Sequence, residues 1–350
     1  MSDLSSPRLI VSLTSFPARI AFVPQVADSL LAQTRPADEI VLYLSEDQFP
    51  GGEADLPDAL RAAVSAKQIR LRWLQGDLKP HKKYIRAFRE YPDDYVVTVD
   101  DDVLYDPDLL ESLWQTHLRY PDAVVAGRTH LMTLDSAGQP LPYASWLRRV
   151  TGFEEGPSMQ LFAVGIGGVL YHPKWFPPEL YDEDVIRDTC LLADDLWLKT
   201  MEMAAGIPVV RSSGSELLRI IPGSQETSLF SANLEENRND VIFSAIRRWA
   251  DAYYGRDIVA EQLGSGRWPR VCGEKALIEY VNSDRKRTFA ATNAVLTRMQ
   301  RLQKRLASTE AKVSRLEEEV SLLRNSSSYR LGNTLVSPLS RLRGKKDGTP

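Results

Sequence analysis

Several residue types and patterns that define large protein classes are scarce in this chain or missing from it. Only two cysteines occur, Cys190 and Cys272. They cannot form the disulfide framework of a small secreted protein, and neither lies in a metal-ligand spacing. No run of about 18 apolar residues occurs, which excludes a membrane-spanning helix. Residues 1–8 contain no apolar signal region, so we expect a cytoplasmic location, with peripheral contact to the inner face of the membrane left open.

Two further absences narrow the class of protein. The formal net charge is -4, so no excess of positive charge favours non-specific binding to nucleic acid. The first predicted strand is not followed by Gly-x-Gly-x-x-Gly, so the dinucleotide fingerprint is missing. What remains is the composition of a soluble globular protein, with 43% hydrophobic residues among 350, enough for one or two domains with a large core.

Predicted strands and helices alternate over the first 250 residues, which favours an α/β fold with a doubly wound, mostly parallel sheet and flanking helices. Strands are predicted at 8–16, 39–44, 69–74, 95–99, 123–126 and 207–211. Helices are predicted at 23–33, 60–66, 81–91, 106–120, 189–205 and 240–254, with Asp106 as the N-cap of the fourth. Residues 128–156 show no period and predict a long functional loop.

The strand at 95–99 runs directly into three carboxylates, Asp100, Asp101 and Asp102. Ligands of open α/β sheets bind beyond the carboxyl ends of such strands. Adjacent carboxylates repel one another, and a hard divalent cation removes that repulsion. In extended geometry Asp100 and Asp102 would share one face and Asp101 would take the other. The pattern therefore predicts a metal site, although a solvated acidic loop would have the same sequence.

Charged residues on both sides of the triplet extend the candidate site. Upstream, the segment 76–84 leads into a helix with lysines at 79, 82 and 83 and a histidine at 81, a pattern that suits phosphate but also a solvated basic face. His81 is a candidate metal ligand or a capping residue. Downstream, Asp194 and Asp195 open a helix, where a carboxylate can act as general base or simply complement the helix dipole.

Glycine and tryptophan mark the same downstream region. The apolar segment 161–171 contains Gly165, Gly167 and Gly168, which suggest close approach of the backbone to a ligand, or a bulge. Trp197 offers an apolar face on which a sugar ring could stack, and is equally consistent with a core position.

Beyond residue 285 the chain changes character. Apolar residues recur in steps of four and three over about four heptads; the seam is Val295, Met299, Leu302, Leu306, Thr309, Val313, Leu316, Val320 and Leu323. Arg305 and Lys312 fall at g positions, and Glu310 and Glu317 at the following e positions. We expect a catalytic domain at 1–285, a coiled-coil helix at 286–325 that forms a homodimer, and a short basic tail at 326–350. A single helix packed on the domain is the alternative.

Taken together, these motifs resemble those of nucleotide-sugar glycosyltransferases with the GT-A fold, most closely the bacterial family-2-like enzymes of cell-surface polysaccharide or lipopolysaccharide synthesis. The resemblance covers residues 8 to about 250 and rests on five segments: 11–20, 82–84, 98–102, 165–173 and 194–197. It implies a metal-dependent, inverting transfer of a sugar from a nucleotide-diphosphate sugar to a glycan or lipid-linked glycan acceptor.

The resemblance also implies roles for individual residues. Asp102 and Asp100 would bind Mn²⁺ or Mg²⁺, while Asp101 would be replaceable. Asp195, or Asp194, would deprotonate the acceptor. The donor would be lined by Thr14, Ser15, Arg19, Lys82, Lys83, Asp100, Asp101, Gly167, Gly168 and Trp197. No histidine follows His172, so the later metal-binding histidine of many GT-A enzymes has no counterpart.

Two other classes fit parts of the pattern. A phosphohydrolase of the haloacid-dehalogenase type also uses Asp-x-Asp, a lysine and a late acidic pair, but it carries its nucleophile on the first strand. A non-catalytic coiled-coil scaffold that binds glycans would show no turnover with any donor.

Overall fold

The computed structural model describes residues 7–148, 156–213, 218–224 and 238–265, together with helical positions between 309 and 322. The chain divides into two compact units, Met1–Val281 and Asn282–Pro350. Within the described residues, no helix is both long and apolar enough to cross a bilayer.

Strands and helices alternate through the first unit, as the sequence predicts. The strands are β1 (Leu9–Thr14), β2 (Glu39–Ser45), β3 (Arg70–Leu74), β4 (Tyr95–Thr98), β5 (Val103–Leu104), β6 (Val124–Ala126), β7 (Thr129–Leu131), β8 (Leu161–Ala163), β9 (Val169–Tyr171), β10 (Val209–Arg211) and β11 (Arg219–Ile220). The helices are α1 (Val23–Leu31), α2 (Asp58–Ser65), α3 (Lys82–Glu90), α4 (Leu109–Arg119), α5 (Glu183–Thr189), α6 (Asp194–Ala205), α7 (Arg238–Tyr254) and α8 (Ile258–Gly264).

Seven strands form one sheet in the order β10-β6-β9-β4-β1-β2-β3. The prediction of a mostly parallel sheet is confirmed: β1 pairs in parallel with β2 and β4, β2 with β3, and β6 with β10. β9 is the exception, because it runs antiparallel between β4 and β6. A glycine-containing turn connects β9 to β8, which pairs with β7 in a separate two-stranded sheet.

Both faces of the sheet are buried, which explains the continuous apolar runs in its strands. Alternate residues enter different cores: Ile10 and Val96 pack on one side, and Val11 and Val97 on the other. The first core is completed by α3, α6 and α7, and the second by α1, α2 and α4.

One edge of this sheet collects the ends of its central strands. β1, β2, β3 and β4 run in parallel, so their carboxyl ends meet there. Because β9 is antiparallel to β4, with Val169 opposite Thr98, its beginning lies at the same edge. The turn before β9 is thereby placed beside the aspartate triplet.

Three sequence predictions need correction. Asp106 does not cap α4, which begins at Leu109; its carboxylate accepts a hydrogen bond from Arg219 at 2.7 Å. The helix predicted at 189–205 is broken, with α5 ending at Thr189 and α6 starting at Asp194. Residues 128–156 are not wholly loop, because β7 pairs with β8 about thirty residues later, a contact that local sequence cannot indicate.

In the second unit the described positions 309, 312–313, 315–317 and 319–322 are helical. Val313, Leu316 and Val320, which belong to the predicted heptad seam, are all exposed to solvent. Val295, Met299, Leu302, Arg305, Leu306, Glu310, Leu323 and the basic tail lie outside the described residues.

Candidate active site

The aspartate triplet lies in a bend between β4 and β5 rather than in extended strand. The backbone amide of Asp100 donates to the hydroxyl of Tyr105 at 2.8 Å, and the carbonyl of Asp102 accepts from the amide of Ile221 at 2.9 Å. The expected alternation of side chains therefore does not occur. Asp101 and Asp102 contact one cation, Arg19, while Asp100 contacts another, Lys83.

Arg19, in the turn after β1, bridges two of the three carboxylates. Its guanidinium lies 2.9 Å from Asp101 Oδ1 and 3.0 Å from Asp102 Oδ2, and Ser15 Oγ donates to Asp101 Oδ2 at 2.6 Å. Burial raises the pKa of Asp101, and Arg19 and Ser15 offset this effect only in part. Asp101 thus anchors the turn after β1, and these contacts favour a structural role over the replaceable position that the resemblance implies.

Lys83, in the first turn of α3, connects the triplet with the second acidic pair. Its ammonium lies 2.7 Å from an Asp100 oxygen and 3.0 Å from Asp194 Oδ2, with 4% of the side chain exposed. Burial disfavours the charged form of Lys83, but Asp100 and Asp194 outweigh burial and raise its pKa well above the ordinary value. The sequence placed Lys83 at the donor phosphates; the structure places it between two sets of carboxylates.

His81 fixes the geometry of this connection. Its Nδ1 lies 2.8 Å from the Tyr84 hydroxyl, and its Nε2 donates to the carbonyl of Cys190 at 2.9 Å, in the turn before α6. Burial lowers the pKa of His81 to about 4, so the ring is neutral. With both ring nitrogens engaged, His81 is a structural residue rather than a metal ligand.

Asp194 and Asp195 occupy the first turn of α6 in different environments. Burial favours the neutral form of Asp194, yet the Lys83 ammonium holds its pKa below the ordinary value. Asp195 accepts from the backbone amide of Gly165 at 3.1 and 3.2 Å and stays partly exposed. Burial and the neighbouring Asp194 raise the pKa of Asp195 well above its ordinary value. The pair therefore contains one buried ion and one accessible carboxylate with raised basicity.

The glycine turn is required by packing beside this pair. A Cβ atom on Gly165 would lie 2.8 Å from Asp195 Oδ1, and one on Gly167 would lie 2.4 Å from the Cβ of Arg128. Gly168 has φ +78°, a conformation that side chains other than glycine rarely adopt. The sequence predicts close approach of this backbone to a ligand, or a bulge; the close neighbours that the structure shows are Asp195 and Arg128 of the protein itself.

Comparison with known proteins finds one family model that matches part of the chain. The model of glycosyl transferase family 2 matches residues 18–160, which include Arg19, Lys83 and the triplet. Residues 18–160, about two fifths of the chain, are thus similar to the glycosyl transferase family 2 domain. The enzyme class predicted from the sequence is thereby confirmed, and the scaffold and phosphohydrolase alternatives are set aside. A search of the curated proteins found no match.

Solved structures give distant similarities to this glycosyltransferase. S. aureus TarS 1-349 in complex with UDP-GlcNAc is 14% identical, with TM-score 0.44, over 73% of this chain and 71% of that one. The mannosyltransferase PcManGT from Pyrobaculum calidifontis with GDP-Man and Mn²⁺ is 13% identical, with TM-score 0.44, over 98% and 89%. Glucosyl-3-phosphoglycerate synthase from Mycobacterium tuberculosis is 18% identical, with TM-score 0.27, over 35% and 43%. At these values none of them indicates which substrate this enzyme uses.

Three predicted donor residues of the glycosyltransferase have other contacts. Trp197 is fully buried; its indole nitrogen donates to the carbonyl of Leu180 at 3.1 Å, and its ring packs on Trp249, so it is a core residue and not a stacking platform. Thr14 Oγ1 donates to the carbonyl of Tyr43 at 2.7 Å and joins the ends of β1 and β2. Lys82 donates to Asp77 at 2.7 Å and to Gln48 at 3.2 Å, beyond the ends of β2 and β3.

Sequence reasoning missed two residues that hold the site together. The Tyr105 hydroxyl orients Asp100, and Ser12 Oγ donates to the carbonyl of Lys83 at 2.5 Å, which fixes the start of α3 against β1. Neither residue carries a sequence signal, because a buried hydroxyl in an apolar run resembles any core position.

The carboxylates of this edge suit a divalent cation. They belong to Asp100, Asp101, Asp102, Asp194 and Asp195, and two buried cations, Arg19 and Lys83, contact them. Carboxylates therefore outnumber these cations, and oxygen ligands are those that Mg²⁺ and Mn²⁺ prefer. In the part of the chain that the structure describes, no group of three or more His, Cys, Asp or Glu side chains is arranged to hold a metal. A metal here would complete its coordination with substrate oxygens and water.

Proposed function

We propose that this glycosyltransferase moves a sugar from a nucleoside-diphosphate sugar to an acceptor hydroxyl, in a metal-dependent reaction that inverts the anomeric centre. The observation that supports the proposal best is the shared position of Lys83. It contacts Asp100 of the triplet at 2.7 Å and Asp194 of the second pair at 3.0 Å. The residues suited to a diphosphate and those suited to an acceptor therefore lie next to each other, as a direct transfer requires.

Asp195 is the proposed general base. It is partly exposed and has a raised pKa, whereas Asp194 is buried and ion-paired with Lys83. In the reaction the acceptor oxygen forms a bond to the anomeric carbon while the bond from that carbon to the phosphate oxygen breaks. The nucleoside diphosphate leaves with the electron pair, and the proton of the acceptor hydroxyl passes to Asp195. The amide of Gly165 keeps the carboxylate oriented.

Asp102 and Asp100 are the proposed metal ligands. Bound there, Mn²⁺ or Mg²⁺ would supply positive charge for the departing diphosphate. Ser15 and Arg19, after β1, and Lys82, beyond β2 and β3, are proposed to line the nucleotide, in keeping with their places at the carboxyl edge of the sheet.

The test combines donor binding with turnover. Nucleotide sugars are screened by thermal shift with and without Mn²⁺, and transfer is followed with the donor that stabilises the protein. Asp195→Asn should lose at least about a hundredfold in turnover because the general base is removed, while donor affinity stays within about threefold. The matched variant Asp194→Asn should also lose stability, since Lys83 loses a partner. An Asp195→Asn enzyme with full activity would remove Asp195 from the mechanism, and retained anomeric configuration in the product would exclude inversion.

The acceptor is proposed to be a glycan or lipid-linked glycan of surface polysaccharide synthesis, reached from the cytoplasmic side of the membrane. This part rests on the resemblance of the five segments 11–20, 82–84, 98–102, 165–173 and 194–197, taken together, to transferases of that class. The assay is sedimentation with anionic vesicles and transfer to extracted lipid-linked glycans. If the enzyme accepts only soluble sugars and does not sediment with vesicles, this part of the proposal is wrong.

The C-terminal helix is proposed to form a parallel homodimer. Val313, Leu316 and Val320 are exposed at seam positions, and Lys312 and Glu317 can pair across the interface. Light scattering should give a dimer for the full chain and a monomer for the double variant Val313→Asp and Val320→Asp. A monomeric wild type at micromolar concentration would contradict the proposal.

A further inference from the structure

Arg19 has an unusual pair of partners for a side chain in a donor-binding cleft. One terminal nitrogen lies 2.9 Å from Asp101 and the other 3.0 Å from Asp102, so a single guanidinium serves two adjacent carboxylates. The side chain is 12% exposed. Burial disfavours its charged form, but Asp101 and Asp102 outweigh burial and raise its pKa. Arg19 is therefore a cation at every pH at which the enzyme folds.

Asp102 is one of the two carboxylates proposed to hold the metal. A divalent cation and a guanidinium cannot both occupy the same carboxylate oxygen, and their positive charges repel at such short range. A metal on Asp102 Oδ2 would displace the contact with Arg19, and a metal on the other oxygen would still be repelled by the guanidinium charge.

The two cations of the site differ in their surroundings. Lys83 stands on a helix, is fixed between Asp100 and Asp194, and is almost fully buried. Arg19 stands in a turn, and its guanidinium carbon lies 5.8 Å from the ring centre of Phe16, a second favourable neighbour. A guanidinium also binds a diphosphate through paired hydrogen bonds as well as it binds carboxylates. On a donor diphosphate Arg19 would again have an anionic partner.

We propose that Arg19 is an exchangeable internal counter-ion: it holds Asp101 and Asp102 before the donor binds, competes with the divalent cation for Asp102, and moves to the diphosphate of the donor. This inference rests on the proposed function. If Arg19 behaves in this way, the protein binds the metal weakly without a nucleotide and strongly with one. The donor diphosphate gives Arg19 a new partner, so Asp102 becomes available to the metal.

Competition between Arg19 and the metal predicts that removal of Arg19 changes the affinity for Mn²⁺ alone and the affinity for nucleotide with Mn²⁺ in opposite directions. Arg19→Met should bind Mn²⁺ alone about tenfold more tightly than the wild type, because the carboxylates lose their internal cation. The same variant should bind a nucleoside diphosphate with Mn²⁺ about tenfold more weakly, because the diphosphate loses its guanidinium. A residue that only positioned Asp101 and Asp102 would lower both affinities when removed.

The experiment uses the full chain, calorimetric titration with MnCl₂ alone, and then with UDP or GDP at saturating Mn²⁺. Arg19→Lys keeps one charge but cannot bridge two carboxylates, so it should give intermediate values and remains informative if Arg19→Met folds poorly. Arg8→Met is the matched control: Arg8 pairs with Asp94 and Glu39 just before β1, is 48% exposed, and should change neither affinity. Thermal melts provide a second readout, since Mn²⁺ should stabilise Arg19→Met more than the wild type.

An unchanged or lower Mn²⁺ affinity in both Arg19 variants would overturn the inference, and so would the lack of any measurable Mn²⁺ binding to them. These results would leave the proposed function intact if the wild type still transferred sugar with Mn²⁺. Conversely, the absence of transfer with every donor would refute the proposed function without deciding the competition at Asp102.

Discussion

Replacement of Lys83 by methionine tests the central ion pairs directly. The substitution keeps the length of the side chain and removes its charge, leaving Asp100 and Asp194 without their shared cation. Loss of one partner from a buried ion pair costs about 3–5 kcal/mol. Asp100 is 28% exposed and can recover some hydration, so the lower end, about 3 kcal/mol, is expected. In a domain of this size that corresponds to a fall in Tm of roughly 6–12 °C.

The stability lost in Lys83→Met should depend on pH in a predictable direction. In the wild type Lys83 lowers the pKa of Asp194, so the stabilisation is present above the unfolded pKa of about 4 and disappears only as pH falls through the folded value. In the variant, burial of Asp194 remains without an opposing cation, so its pKa should rise. At acid pH Asp194 becomes protonated in the variant, which removes the cost of burying an unpaired charge. The stability deficit should therefore shrink as pH falls from about 8 to about 5.

Urea unfolding followed by circular dichroism at both pH values measures the deficit. The control is Lys174→Met, whose ammonium lies 2.6 Å from Asp93, closer than Lys83 to either partner, but with 65% of the side chain exposed. It should leave stability unchanged within error, because solvent screens an exposed pair. A Lys83→Met protein as stable as the wild type at about pH 8, or a deficit that grows in acid, would refute the reasoning.

Three further substitutions separate structural from functional positions. Asp101→Asn should weaken the contact that holds Arg19, so both turnover and the free energy of unfolding should fall, the latter by about 1–3 kcal/mol. Initial rates and thermal melts measure these two effects. A fully active and fully stable variant would show that Asp101 is dispensable. Trp197→Phe should destabilise the domain by about 1–3 kcal/mol, because a hydrogen bond and side-chain volume are lost from the core, while KM for the donor stays unchanged. A higher KM would indicate that Trp197 contributes to donor binding. Gly168→Ala should cost about 1–3 kcal/mol, because φ is +78° and the new Cβ would lie 3.0 Å from Leu109; an unaffected Tm would show that the turn adjusts.

The sequence by itself determined the alternation of strands and helices, because each element carries its own hydrophobic period. It also located the carboxylates at 100–102 and 194–195, since charged residues after an apolar strand are conspicuous in any window. The end of α6 was predictable too: Gly206 adopts φ 70° there, a local property of glycine. β9 escaped prediction, because its direction is set by strands distant in sequence.

Only the tertiary structure decided what those carboxylates contact. Lys83 and Asp194 are more than a hundred residues apart, and their ion pair exists because α3 and α6 pack in the same core. The sequence leaves Trp197 open as a sugar-stacking residue or a core residue, and only its burial against Trp249 decides for the core. Extended geometry predicts Asp101 and Asp102 on opposite faces, whereas the bend after β4 turns both of them towards Arg19. Ionic contacts depend on distance and burial, which an amino-acid sequence fixes only after the chain has folded.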